Sequence, residues 1–99
     1  MLERVRSEVE LLGRHLRVLS AVMEHQPIGI MRLAELLDLP YHRIRYSLRV
    51  LEQMGYIRAS QEGAIALERA YELNRELDDE LDEILAMVSS MKKKKSHNV

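Results

Sequence analysis

The chain has 99 residues, 46% of them hydrophobic and 31% charged, with a formal net charge of -1, which limits it to one domain around one core and excludes wholesale disorder. With no cysteine, disulfides, thiolate metal sites and cysteine nucleophiles are excluded together. The near-neutral balance excludes a chain-wide electrostatic grip on nucleic acid, so such binding needs a local basic patch.

Residues 2 to 25 place Leu2, Val5, Val9, Leu12, Leu16, Leu19 and Met23 in alternating steps of three and four, the spacing of one long amphipathic helix with a near coiled-coil seam. Leu11, Val18 and Val22 widen its apolar face, and Gly13 is a place for a bend or a close approach. Gln26-Pro27-Ile28-Gly29 breaks the helix, because proline disfavours a helical residue before it. A short helix follows from Met31 to Leu37, with Leu33, Ala34 and Leu37 on one face. Leu39-Pro40 closes it, and proline there begins the next helix.

From Tyr41 to Met54 the period is again helical, with Ile44, Leu48 and Leu51 inward and Gly55 at the C-terminal cap. After Gly55 the pattern changes to two short strand-like runs, Tyr56–Ala59 and Ala64–Leu67, flanking a turn at Ser60–Gly63. The chain then runs as a fourth helix from about Glu68 to Met91, with Ala70, Leu77, Leu81, Ile84, Val88 and Met91 in heptad register. The expected organisation is a single domain over residues 1–91 and a flexible lysine-rich tail over 92–99. Met23, Met31 and Met54 are expected in the core.

Opposite the inward stripe of the third helix lies a second one, His42, Arg45, Tyr46 and Arg49, with Tyr41 and Arg43 near the helix start and no acidic residue from Tyr41 to Val50. Arginine's planar fork matches guanine O6 and N7 or two phosphate oxygens, and tyrosine and histidine reach phosphates or base edges. Taken alone, such a stripe is as often an ordinary solvated face. The order short helix, tight turn, helix is that of the unit whose second member reads the major groove.

The run Leu33-Ala34-Glu35-Leu36-Leu37-Asp38-Leu39-Pro40, then Ile44, Leu48, Leu51-Glu52 and Gly55-Tyr56-Ile57, resembles winged helix-turn-helix regulators, in particular small archaeal predicted transcriptional regulators. The resemblance covers about residues 16 to 70, and its most telling piece is L-x-x-L-E-x-x-G-Y-I from Leu48 to Ile57. It implies a mainly α fold with a small β-hairpin wing and long terminal helices. It also implies that Tyr41, His42, Arg43, Arg45, Tyr46 and Arg49 face a DNA groove and that Arg58 lies on the first wing strand. The wing departs from a strong DNA-gripping pattern, since its tip reads Gln61-Glu62-Gly63 with no Arg or Lys.

Two terminal helices carry more apolar surface than a three-helix core covers, so a homodimer is expected, joined through Leu2, Val5, Val9, Leu12, Leu77, Leu81, Ile84 and Val88. Asn74 falls on the fourth helix's seam. The histidines are scattered with no metal-binding pair, and the acids from Asp78 to Glu83 are a solvated face. No catalytic or cofactor motif is present, and no motif identifies a small-molecule effector. No run reaches the roughly 18–20 apolar residues that span a bilayer, and the N-terminal segment is charged rather than leader-like, so no membrane association and a cytoplasmic location are expected. The expected function is sequence-specific binding of double-stranded DNA in transcription regulation; the alternative is a protein-interaction module of the same fold that never meets DNA.

Overall fold

The steps of three and four that mark the first segment produce α1, Leu2–His25, which runs unbroken through Gly13. The structure, a computed structural model, describes residues 1–93; the part of the tail from 94 to 99 lies outside the described residues. After α1 come α2, Ile30–Leu37, α3, Tyr41–Gln53, the antiparallel pair β1, Ile57–Ser60, and β2, Gly63–Ala66, and finally α4, Glu68–Ser90. The molecule is mainly helical with one hairpin, and its principal extents are 62 × 27 × 21 Å. No helix among the described residues is long and apolar enough to cross a membrane.

Local backbone chemistry explains the tight connections. At the end of α3, Gly55 adopts a φ of 83°, its N–H donates to the Glu52 carbonyl at 3.0 Å, and the Tyr56 N–H reaches back to the Leu51 carbonyl at 3.0 Å. This is a Schellman closure, which glycine accommodates because no Cβ meets the carbonyl. The end of α2 is closed similarly by Asp38 at a φ of 54°, with the Leu39 N–H on the Ala34 carbonyl at 3.2 Å. Pro40 then caps α3, its carbonyl accepting from the Arg43 and Ile44 N–H groups at 3.1 and 3.2 Å.

The core forms where α1, α2, α3, the hairpin and the start of α4 converge: Val18, Val22, Leu33, Ile44 and Ala70 are fully enclosed, with Leu19, Ala21, Ile28, Leu51, Ile57 and Ala64 around them. On α1 the core takes residues from the expected seam and from those beside it, but only along the second half of the helix. Val18 and Val22, taken as widening the face, are fully enclosed beside the seam residue Leu19, while the earlier seam residues Leu2, Val5, Val9 and Leu12, expected between two copies, are exposed, Leu2 at 69%. The reason is position along the helix: the compact part meets only the second half of α1, and every residue from Met1 to Glu10 is exposed.

Two methionines expected in the core are outside it, Met31 at 70% exposure and Met54 likewise exposed, because Ile30, Leu33 and Leu51 fill the inward positions on those helices. Both strands lie within a residue of their expected ends. The hairpin has a neighbour the sequence pattern hid: Ile28 bridges Ala64 through reciprocal backbone hydrogen bonds of 3.2 and 2.8 Å. Gln26 fastens the same corner. Its Oε1 accepts from the Ala66 N–H at 2.8 Å while its Nε2 donates to the Tyr71 hydroxyl at 2.8 Å, tying the end of α1 to β2 and α4.

Candidate nucleic-acid interface

Helical geometry places residues three and four apart on one face, so burial of Ile44, Ser47 and Leu51 decides what α3 presents outward. His42, Arg45, Tyr46 and Arg49 all emerge exposed, with Gln53 continuing the row one turn on, a residue the sequence reading did not single out. The Arg45 guanidinium lies 4.9 Å from the centre of the Tyr41 ring, close enough for a cation–π contact that restricts its swing. Tyr41 therefore serves as a platform for Arg45 at the start of the helix.

Arg43 lies on the flank that faces α1, and Tyr46 borders it from the outward row. Arg43 lines a depression shared with α1, and the Tyr46 ring centre is 5.9 Å from that of His15 on α1. Arg58 is exposed on β1, paired with Ile65 of β2, and is brought to a separate element from the α3 row. The hairpin tip is held by Ser60, whose hydroxyl donates to the Gly63 carbonyl at 2.6 Å and accepts from the Glu62 N–H at 3.3 Å. That tip exposes Gln61 and Glu62 and offers no cation.

Behind the outward row sits a polar pair that residue spacing did not reveal. Ser47 is completely enclosed, and its Oγ shares a 2.8 Å hydrogen bond with His15 Nδ1. A buried hydroxyl needs such a partner, and this one links α1 directly to the helix that carries the arginines. Burial, and after it the positive charge of Arg14, hold the His15 ring below its ordinary pKa. The unfolded chain thus takes up a proton more readily than the folded one. His15's contribution to stability is complete above the unperturbed imidazole pKa of about 6.5 and is lost as pH falls below it. Thermal melts from pH 7.5 down to 5 are expected to show a falling midpoint that His15→Gln flattens; an equally steep fall in the variant would assign the pH dependence elsewhere.

The residues expected to join two copies divide by position. Leu2, Val5, Val9, Leu12, Ile84 and Val88 are exposed, Val88 at 49%, together with Leu85, Met87 and Met91. Leu77 and Leu81 are half-buried, and Leu77 already faces Leu16 and Leu19 of α1 across a small cavity that Asn74 also lines. Leu77 is therefore partly used within its own chain. Among the described residues no group of three or more His, Asp or Glu side chains could hold a metal ion. The chain matches no protein-family model and no curated protein sequence.

Proposed function

We propose that the protein is a winged helix-turn-helix regulator that binds double-stranded DNA as a dimer, with α3 in the major groove and Arg45, Arg49 and His42 reading base edges. The observation that carries this reading is the two-sidedness of α3. Its inner face is locked into the core through Ile44, Ser47 and Leu51, while its outer face exposes cations with no acid until Glu52. A rigidly held helix with an unneutralised outer row is what groove docking requires, since flexible placement blurs base discrimination. The hairpin, with its acidic tip, acts chiefly as a structural brace for this helix, and Arg58 on its first strand reaches phosphate.

The second copy is placed on the exposed halves of α1 and α4. These are two apolar rows that a single chain leaves in water, and rows of this kind mark association surfaces. The acids from Glu76 to Glu83 flank the α4 row, so α4 against α4 sets like charges together. The α1 row carries both signs, Arg4 and Arg6 with Glu3, Glu8 and Glu10, and is a better mate for α4 than a second acidic α4. Two copies then supply two reading helices for half-sites about 34 Å apart.

The test is fluorescence anisotropy on a labelled duplex selected from genomic fragments and on an unrelated duplex, with sedimentation to give the mass. Arg45→Ala and Arg49→Ala are each expected to lose about 1–3 kcal/mol on the selected sequence and much less on the unrelated one. Equal losses on both would reduce these arginines to phosphate contacts. Absence of salt-sensitive binding at low ionic strength would transfer the function to a protein partner, for which the acidic stretch of α4 is the surface to examine.

A further inference from the structure

The flank of α3 that faces α1 holds a second concentration of positive charge. Arg14 and Arg17 of α1 and Arg43 of α3 line one open depression of about 660 Å³ together with Ser7 and Glu10. Three arginines and one glutamate thus line the same depression. Among the described residues none of the three lies within 4 Å of an acidic group, since the ion pairs there involve Glu3, Glu24 and Glu68. The Arg14 Nε is enclosed and has no hydrogen-bond acceptor. Arg17 is steadied from one side, its Nη2 donating to the Leu37 carbonyl at 3.0 Å, which leaves most of its five N–H donors uncommitted.

Enclosed donors without acceptors are uncommon, and three arginines lining one concavity with a single glutamate leave it with an excess of positive charge that attracts an anion. Their fork geometry suits a tetrahedral oxyanion with several acceptor oxygens. We propose that Arg14, Arg17 and Arg43 form a phosphate-binding site, and that a backbone phosphate of duplex DNA occupies it. The DNA source rests on the reading of α3 given above, and it follows from distance. Packed helices have axes about 8–10 Å apart, and the major groove is about 12 Å wide. With α3 in the groove, side chains of the helix packed beside it meet the phosphate rim. Arg43, in the first turn of α3, joins the two surfaces. Glu10 is the opposing charge and limits the site's strength.

The experiment compares the full-length protein with Arg14→Gln/Arg17→Gln and with Glu10→Gln, titrating a selected and an unrelated duplex across a range of salt. The double variant is expected to weaken both duplexes equally and to reduce the slope of log affinity against log salt by about two. Its affinity then falls roughly tenfold less than the parent's between about 50 and about 200 mM salt. Glu10→Gln, an exposed surface change, is expected to strengthen both duplexes at low salt, which guards against a double variant that is merely misfolded. Unchanged slope and affinity in both variants, with Arg49→Ala still weakening the selected duplex, would overturn the phosphate site and leave the α3 reading standing. Inorganic phosphate or pyrophosphate bound in an Arg14- and Arg17-dependent manner by a protein that ignores duplex DNA would overturn the DNA source and, with it, the α3 reading.

Discussion

Alanine at position 63 is expected to cost on the order of 3 kcal/mol of folding stability. Gly63 has a φ of 134°, a backbone state that residues with a Cβ rarely adopt. A Cβ there would also stand 2.6 Å from the Ile28 amide nitrogen and carbonyl oxygen, and closer still to its carbonyl carbon. Those are backbone atoms held by the reciprocal Ile28–Ala64 hydrogen bonds, so they yield only if that bridge opens. For a domain of this size each kcal/mol lowers the melting temperature by about 4–8 °C, and differential scanning calorimetry of Gly63→Ala reads the loss directly. Gly13→Ala is the contrasting control. It sits mid-helix with nothing within 4 Å of the added carbon, and is expected to raise the midpoint by the helix preference of alanine, about 1 kcal/mol. Equal midpoints for the two variants would remove the Ile28 contact from the account of the hairpin.

Ile44→Ala is expected to lose about 2–5 kcal/mol, through lost transfer energy and the cavity left behind. Ile44 is fully enclosed in the same core cluster as Val18, Val22 and Leu33, and a void in such a core is only partly filled by relaxation. Against a total stability of about 5–15 kcal/mol for a small domain, this is a large share. Urea unfolding followed by circular dichroism measures it, with Ile44→Val as the graded comparison at about 0.5–1.5 kcal/mol. A loss from Ile44→Ala no greater than that of the valine variant would place Ile44 at the margin of the core. If α3 reads DNA as proposed, the alanine variant is also expected to bind duplex more weakly than its loss of folded protein accounts for, since the same residue anchors α3.

Most of the element order was legible because helical period, proline and glycine act locally. The limits of α1, the closure at Gly55 and the turn at Leu39-Pro40 are set by residues adjacent to them in the chain. The outward α3 row was legible for the same reason, because burial of Ile44 and Leu51 follows from period alone. What escaped was everything joining distant segments. Ile28 looked like a linker residue, yet it bridges Ala64; Gln26 looked like a helix end, yet it ties β2 to α4. Ser47 looked like a neutral position on α3, and only the approach of α1 made it a buried partner for His15. Arg14 and Arg17 were lost in the mixed charge of α1 until the fold brought Arg43 beside them.

The sequence by itself therefore determined the four helices, the hairpin and the charge of the α3 face, since each depends on propensity, period and turn chemistry within a few residues. Tertiary structure alone decided which stretch of α1 is core, which methionines are outside it, and which arginines line one depression. Those outcomes depend on where along its length each helix is crossed by another. Apolar positions along one helix are equivalent until a neighbour covers them, and on α1 the core residues all fall in its second half.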